Sequence, residues 1–194
     1  MANTDSPFGA VAIGTSDGSD YHGKLREVAF LAGDAVACFI GDFVKLTGTG
    51  TADGLIPVVA QAAASNALVG VLVSLVPDFT DETFISAASH RLASTARTGM
   101  VLFGSDVLYV MQEDSVGGAL AVTDIARNAE IIVAAGDTVT GISAMEIDSS
   151  TVIDATAQLR LRRVDASLDN ALGVNAKWVV NINENQDDHG AGVS

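Results

Sequence analysis

From Val28 onward the apolar positions come in short runs closed by polar turns. The runs VAFLA, VACFI and GDFVKLTG are separated by the pairs Gly33-Asp34 and Gly41-Asp42. Gly allows positive φ, and the Asp carboxylate accepts from nearby backbone N–H groups, so such pairs make tight turns. After a polar loop, GTGTADG (48–54), come LIPVVAQAA and then ALVGVLVSLV, a β-branched run bounded by Asn66 and Pro77. MVLFG (100–104) and DVLYVMQED (106–114) read as strands joined at Gly104-Ser105, followed by EIIVAAGD, TVTGISAMEI and a Ser-Ser-Thr turn at 149–151. Two late strands alternate well. In AQLRLRRVD, Leu159, Leu161 and Arg163 share one side and Arg160 and Arg162 the other; in AKWVVNINE, Trp178, Val180 and Ile182 oppose Val179, Asn181 and Asn183.

Helical signals are few. Phe84, Ala88 and Leu92 suit a helical stripe within 79–97, although the Ser and Thr there suit an irregular excursion equally well. A short helix is expected around 119–127, with Leu120 and Ile125. Roughly eight to eleven short strands at even spacing predict an all-β fold, a jelly-roll-type sandwich or barrel with one or two short helices. Residues 1–27, punctuated by Pro7, Gly9, Gly14, Gly18 and Gly23, read as an extended N-terminal arm with a short strand near 9–13. The β-rich domain then occupies 28–184, and 185–194 form a flexible acidic tail. On this reading, removing residues 1–20 leaves a folded domain.

Composition narrows the function. The chain of 194 residues has 10 Lys and Arg against 24 Asp and Glu, a net charge of −14. Nucleic acid is thereby excluded as a direct partner, because phosphate binding requires a basic footprint. At 48% apolar residues the chain can fill a core without metals or disulfides, and its single cysteine, Cys38, reads as a buried structural thiol. Neither a signal peptide nor a membrane helix is expected: MANTDSPFG lacks basic and apolar regions, and the longest apolar run is about half the length a span requires.

Motifs that resemble catalytic signatures lack the context their chemistry needs. Gly14-Thr15-Ser16-Asp17-Gly18 fits the nucleophile-elbow pattern, but no helix pattern follows to lift Ser16 over a parallel sheet. Gly18 to Lys24 approaches a phosphate-binding loop, but Leu25 stands where a magnesium-binding hydroxyl is required. GTGTADG has the wrong glycine spacing for a dinucleotide site. The acidic groups Asp78/Asp81/Glu82, Glu113/Asp114 and Asp187/Asp188 (beside His189) lack EF-hand spacing and read as solvated loops. His22, His90 and His189 share no metal-binding spacing. No catalytic residue, metal or cofactor is therefore expected. Arg91 and Arg97 flank LASTA, and Arg160, Arg162 and Arg163 gather on one strand; each group suits either internal pairing or an acidic partner.

The order of segments carries a resemblance. An arm MAN…PFG precedes GDFVKLTG and LIPVVAQAAASNALVGVLV; then come RLASTAR, VLYVMQED, SVGGALAVTDIARNAEI, SAMEIDSS, AQLRLRRV and DNALGVNAKWVVNINENQ. Over residues 1 to 186 the chain resembles the small acidic capsid decoration or cement proteins of tailed bacteriophages, most specifically in QEDSVGGALAVTDI and NAKWVVNINE. The resemblance implies a non-enzymatic virion protein on the capsid surface, made in the host cytoplasm, bound to the major capsid protein and to itself as a dimer or trimer. Pro7, Phe8, Val11 and Ile13 of the arm, with Arg160 and Arg162, are the expected contact residues. A head-fibre or tail subunit is the alternative in the same setting. A carbohydrate-binding jelly roll is the alternative from another class, with only Trp178, Tyr21 and Tyr109 beyond the Phe residues to form a stacking platform.

Overall fold

The computed structural model describes residues 3–77, 89–152 and 156–187, and its regular structure is strand, with single 3-10 turns at His22–Lys24, Val122–Asp124 and Ser149–Thr151. The strands are β1 (Val11–Thr15), β2 (Leu25–Phe30), β3 (Phe43–Gly50), β4 (Pro57–Gln61), β5 (Gly70–Leu75), β6 (Arg97–Phe103), β7 (Val107–Gln112), β8 (Asn128–Ala129), β9 (Ile131–Ile132), β10 (Glu146–Ile147), β11 (Leu159–Val164) and β12 (Lys177–Ile182). Strands β2, β4, β3, β5 and β6 close into a barrel in that order, and β1, β7, β12, β11 and β8 form a five-stranded sheet; β9 and β10 make a small ribbon. The all-β expectation holds, with a closed barrel beside an open sheet as its architecture.

Alternation sorts the barrel's side chains. Val44, Leu72 and Val101 join Val28, Phe30, Cys38, Val59 and Val69 in one cluster, while Phe43, Val71 and Leu102 belong to a second. This larger cluster fills the space between the barrel wall and the sheet, which contributes Tyr109, Met111, Leu159, Leu161, Trp178, Val180 and Ile182. Phe43 meets Tyr109 edge to face at 5.6 Å, and the Tyr109 hydroxyl donates to the Leu102 carbonyl at 3.2 Å. Trp178, Val180 and Ile182 thus share one face as their alternation predicts, and that face is the core; Val179 and Asn181 on the other face are buried as well.

Several expectations change. Residues 1–27 do not stand apart as an arm: β1 pairs antiparallel with β7, and Ala10 lies in the core. Removing residues 1–20 would strip an edge strand from the sheet. The expected helix at 119–127 contracts to the single turn Val122–Asp124, where the Asp124 carboxylate accepts from the Ala121 N–H at 2.8 Å. Of the helical stripe, Phe84 and Ala88 lie outside the described residues. Residues 185–187 of the expected tail pack against the barrel. Asn185 is buried and bridges to Leu68, and the Gln186 side chain accepts from the Leu46 N–H at 2.6 Å, tying 185–187 to the barrel.

A bulge corrects the reading of β11. Pairing with β12 runs Leu161↔Val180 and then Arg163↔Val179, so one residue is skipped. An unbroken alternation would turn Arg163 toward the core with Leu159 and Leu161; the extra residue turns it outward, where it is exposed.

Candidate functional site

Registers place Val11 and Arg160, one from each expected contact group, on the same face of the sheet. Residues directly opposite in paired strands share a face, and the row Val11, Val110, Val179, Arg163 crosses the sheet from β1 to β11. The adjacent row, Ala12, Tyr109, Val180, Leu161, faces the core. Val11 and Arg163 therefore lie on the opposite face, as does Arg160, which opposes Asn181; Val110, Val179 and Asn181 in the middle of that face are buried, so it is exposed only at its two ends. Sequence reasoning named β1 and β11 separately; long-range pairing joins them.

At one end of this surface lies β1, an edge strand with Val11 49% and Ile13 44% exposed. Beside it runs an apolar cavity of about 470 Å³, lined by Phe8, Val11, Tyr21, Leu25, Val73 and Ile142 among others. Phe8 is half-buried in its wall, and Pro7 is half-buried but outside the lining. The strand's position is fixed just before it begins. Ala10 N–H donates to the Gly41 carbonyl at 2.9 Å, and Gly9 has φ +70°, with the position of a Cβ only 2.5 Å from Ser143 Cβ. Any larger residue at Gly9 would push the start of β1 away from Gly41 and Ser143.

The Gly41-Asp42 turn opposite is held by a buried carboxylate. Asp42 accepts from the Phe39 N–H at 2.8 Å and from the Gln61 amide at 2.7 Å. Burial lifts its carboxyl above the usual range, while these bonds draw it back.

At the other end, Arg160 and Arg162 line a polar pocket of about 310 Å³ with Ser16, Ser105, Asp106, Asn181, Ile182 and Asn183. Arg162 Nε donates to the Asn181 amide oxygen at 2.6 Å, and the Asn181 amide nitrogen donates to the Ser105 carbonyl at 2.7 Å. Arg160 Nε is buried and has no hydrogen-bond partner. Loss of solvation, and then the neighbouring Arg160, lower the Arg162 guanidinium from its ordinary pKa. Asp106, on the rim, is paired with Lys24.

The remaining candidates acquire structural roles. Arg91 is fully buried and donates to the carbonyls of Thr95, Val36, Leu31 and Asp34, so it faces no partner. Its receiving carbonyls lie largely some 60 residues upstream, beyond any local signal. Cys38 is buried, and burial followed by the nearby Asp42 pushes its thiol well above the usual range. His90 stacks on Phe39 at 4.5 Å, and His22 Nδ1 lies 2.5 Å from the Asp20 carboxylate. Ser16 follows β1 into a turn rather than a helix, and Lys24 is engaged by Asp106. Trp178 and Tyr109 are fully buried, which removes two of the three rings proposed for a sugar platform. Asp78, Asp81, Glu82, Asp188 and His189 lie outside the described residues. Among the described residues no three His, Cys, Asp or Glu side chains converge as metal ligands, and no helix is long and apolar enough to cross a membrane.

No family model, curated protein or solved structure matches the chain.

Proposed function

We propose that the protein is a structural component of a phage virion that binds the outer surface of the capsid, contacting the major capsid protein and neighbouring copies of itself. The observation that supports this reading is the edge position of β1, which pairs only with β7 among the described residues and where Val11 and Ile13 stand exposed beside an apolar cavity. An uncovered edge strand offers backbone donors and acceptors to another chain, and exposed β-branched residues add apolar area to the contact. The phage setting comes from the resemblance of segments such as QEDSVGGALAVTDI and NAKWVVNINE.

Cosedimentation with assembled shells of the phage that encodes the protein tests the reading. The double variant Val11→Lys, Ile13→Lys places charges on the edge without altering the core face. It is expected to stay folded by circular dichroism and to lose shell binding. Undiminished binding by the folded variant would refute the role of β1, and absence of wild-type binding to any shell would refute the capsid reading itself.

A further inference from the structure

We infer that the pocket between Arg160 and Arg162 is a binding site for a carboxylate group. Five ion pairs occur among the described residues, and none involves either arginine. The two guanidiniums lie on the outward face of one strand, in a chain of net charge −14. Among the described residues the terminal amino groups of Arg162 hold no hydrogen bond, and Arg160 Nε is buried without one. Two nearby cations repel, so an anion held between them would relieve that repulsion.

The pocket is organised before any ligand arrives. Asn181 holds Arg162 at Nε and is itself fastened to the Ser105 carbonyl, so the guanidinium is oriented rather than free. Its planar fork matches the two oxygens of a carboxylate. Charge decides between anions: the surrounding acidity disfavours a dianion more than a monoanion. Asp106 does not fill the role, because Lys24 already engages it. The carboxylate can come from a free small acid or from an acidic side chain of another polypeptide, and the site recognises the same group in both. This inference is independent of the virion reading.

The test titrates the full chain with sodium acetate against sodium chloride at constant ionic strength, following the arginine Nε–Hε signals by NMR. Acetate is expected to move the Arg160 and Arg162 signals saturably and to leave Arg163 in place. Arg160→Gln and Arg162→Gln, each checked for an unchanged melting temperature, should each weaken binding about tenfold, the scale of one charged hydrogen bond. Arg163→Gln should bind as wild type. Hexaglutamate saturating the same signals at lower concentration than acetate assigns the site to an acidic polypeptide segment; equal or weaker binding assigns it to a free carboxylate. The inference fails if acetate produces no saturable shift, if the glutamine variants bind as wild type, or if inorganic phosphate binds more tightly than acetate.

Discussion

Replacing Arg91 by Met should be among the most damaging single substitutions in this protein, although Met fills a similar volume. The guanidinium has no exposed surface, and Asp34, 3.4 Å away, keeps 21% of its side chain exposed. Arg91 Nε and its amino groups donate to four backbone carbonyls: Thr95 at 2.9 Å, Leu31 at 2.7 Å, Asp34 at 2.9 Å, and Val36. It also lies 5.6 Å from the Phe30 ring centre. One side chain thus fixes the loop leading from β2 toward Cys38, whose backbone exchanges hydrogen bonds with that of Arg91. A hydrogen bond to a charged group contributes about 1.5–3 kcal/mol, but four sharing one donor group do not add. Breaking a buried charge pair costs about 3–5 kcal/mol. Partial rehydration of Asp34 places the expectation at the lower end, about 3 kcal/mol, or about 6–12 °C in melting temperature for a chain of this size.

Urea unfolding of wild type, Arg91→Met and Arg91→Lys measures this directly, with an unchanged denaturant slope showing that the same surface is exposed. Lys keeps the charge but cannot reproduce the planar set of donors, so it should recover less than half of the loss. Amide exchange at Cys38 and Ser94, whose N–H groups donate to the Arg91 and Asp34 carbonyls, should accelerate in both variants. A loss below about 1 kcal/mol for Arg91→Met would refute the idea that the guanidinium organises this loop.

Burial, with Asp5 and Asp114 nearby, raises Glu146 from the ordinary 4.5 to about 7. The folded chain then keeps a proton that the unfolded chain releases, so the stabilisation is full below about 4.5 and is lost as pH rises through about 7. Glu146→Gln should therefore melt with wild type at the acid end and above it at alkaline pH; a melting-point difference independent of pH would contradict this. A Cβ at Gly70 would lie 2.2 Å from the Leu102 carbonyl oxygen, inside the β5–β6 pairing, so Gly70→Ala should destabilise by about 1–3 kcal/mol in thermal unfolding. Trp178 is fully buried with its indole N–H unpartnered, so Trp178→Ala should cost about 3–5 kcal/mol and Trp178→Phe less than half as much in the same assay. The buried Cys38 thiol should ignore a thiol reagent in the native state and react at once in urea; native-state labelling at a free-thiol rate would count against its burial.

What was legible in the sequence follows from the range of each interaction. The alternation in AKWVVNINE set Trp178, Val180 and Ile182 on one face because strand periodicity is local, and the residue types of Gly41-Asp42 marked a turn in which Gly41 takes φ +96°. Barrel closure was not visible: β2 and β4 pair in parallel through Ala29↔Val58, a contact that no neighbouring residues encode. The same reasoning missed that β1 belongs to the sheet, since its glycine-rich surroundings resemble a free arm while its partner β7 lies nearly a hundred residues later. In RLASTAR Arg91 suited either internal pairing or an acidic partner, and only the distant carbonyls of Leu31, Asp34 and Val36 make it a core residue. Val11, Arg160 and Arg162 were named as contact residues on separate segments, and their placement on one sheet required the register.

The bulge in β11 gives the chain's charge a different meaning. Lys24, Arg91, Arg127 and Lys177 each pair with an aspartate, as an acidic chain permits at little cost. Among the described residues Arg160, Arg162 and Arg163, like Arg26 and Lys45, form no ion pair. Regular alternation would have driven Arg163 into the core; the skipped residue between Leu161 and Arg163 leaves Arg162 and Arg163 adjacent and exposed. Three like charges within one strand repel, and replacing any of them with a neutral residue would remove that repulsion without disturbing Leu159 or Leu161. A local geometry that keeps cations together at the surface of an otherwise acidic protein is better explained by an anion supplied from outside than by stability of the free chain. The carboxylate titration at Arg160 and Arg162 therefore tests the purpose of the bulge as well as the occupancy of the pocket.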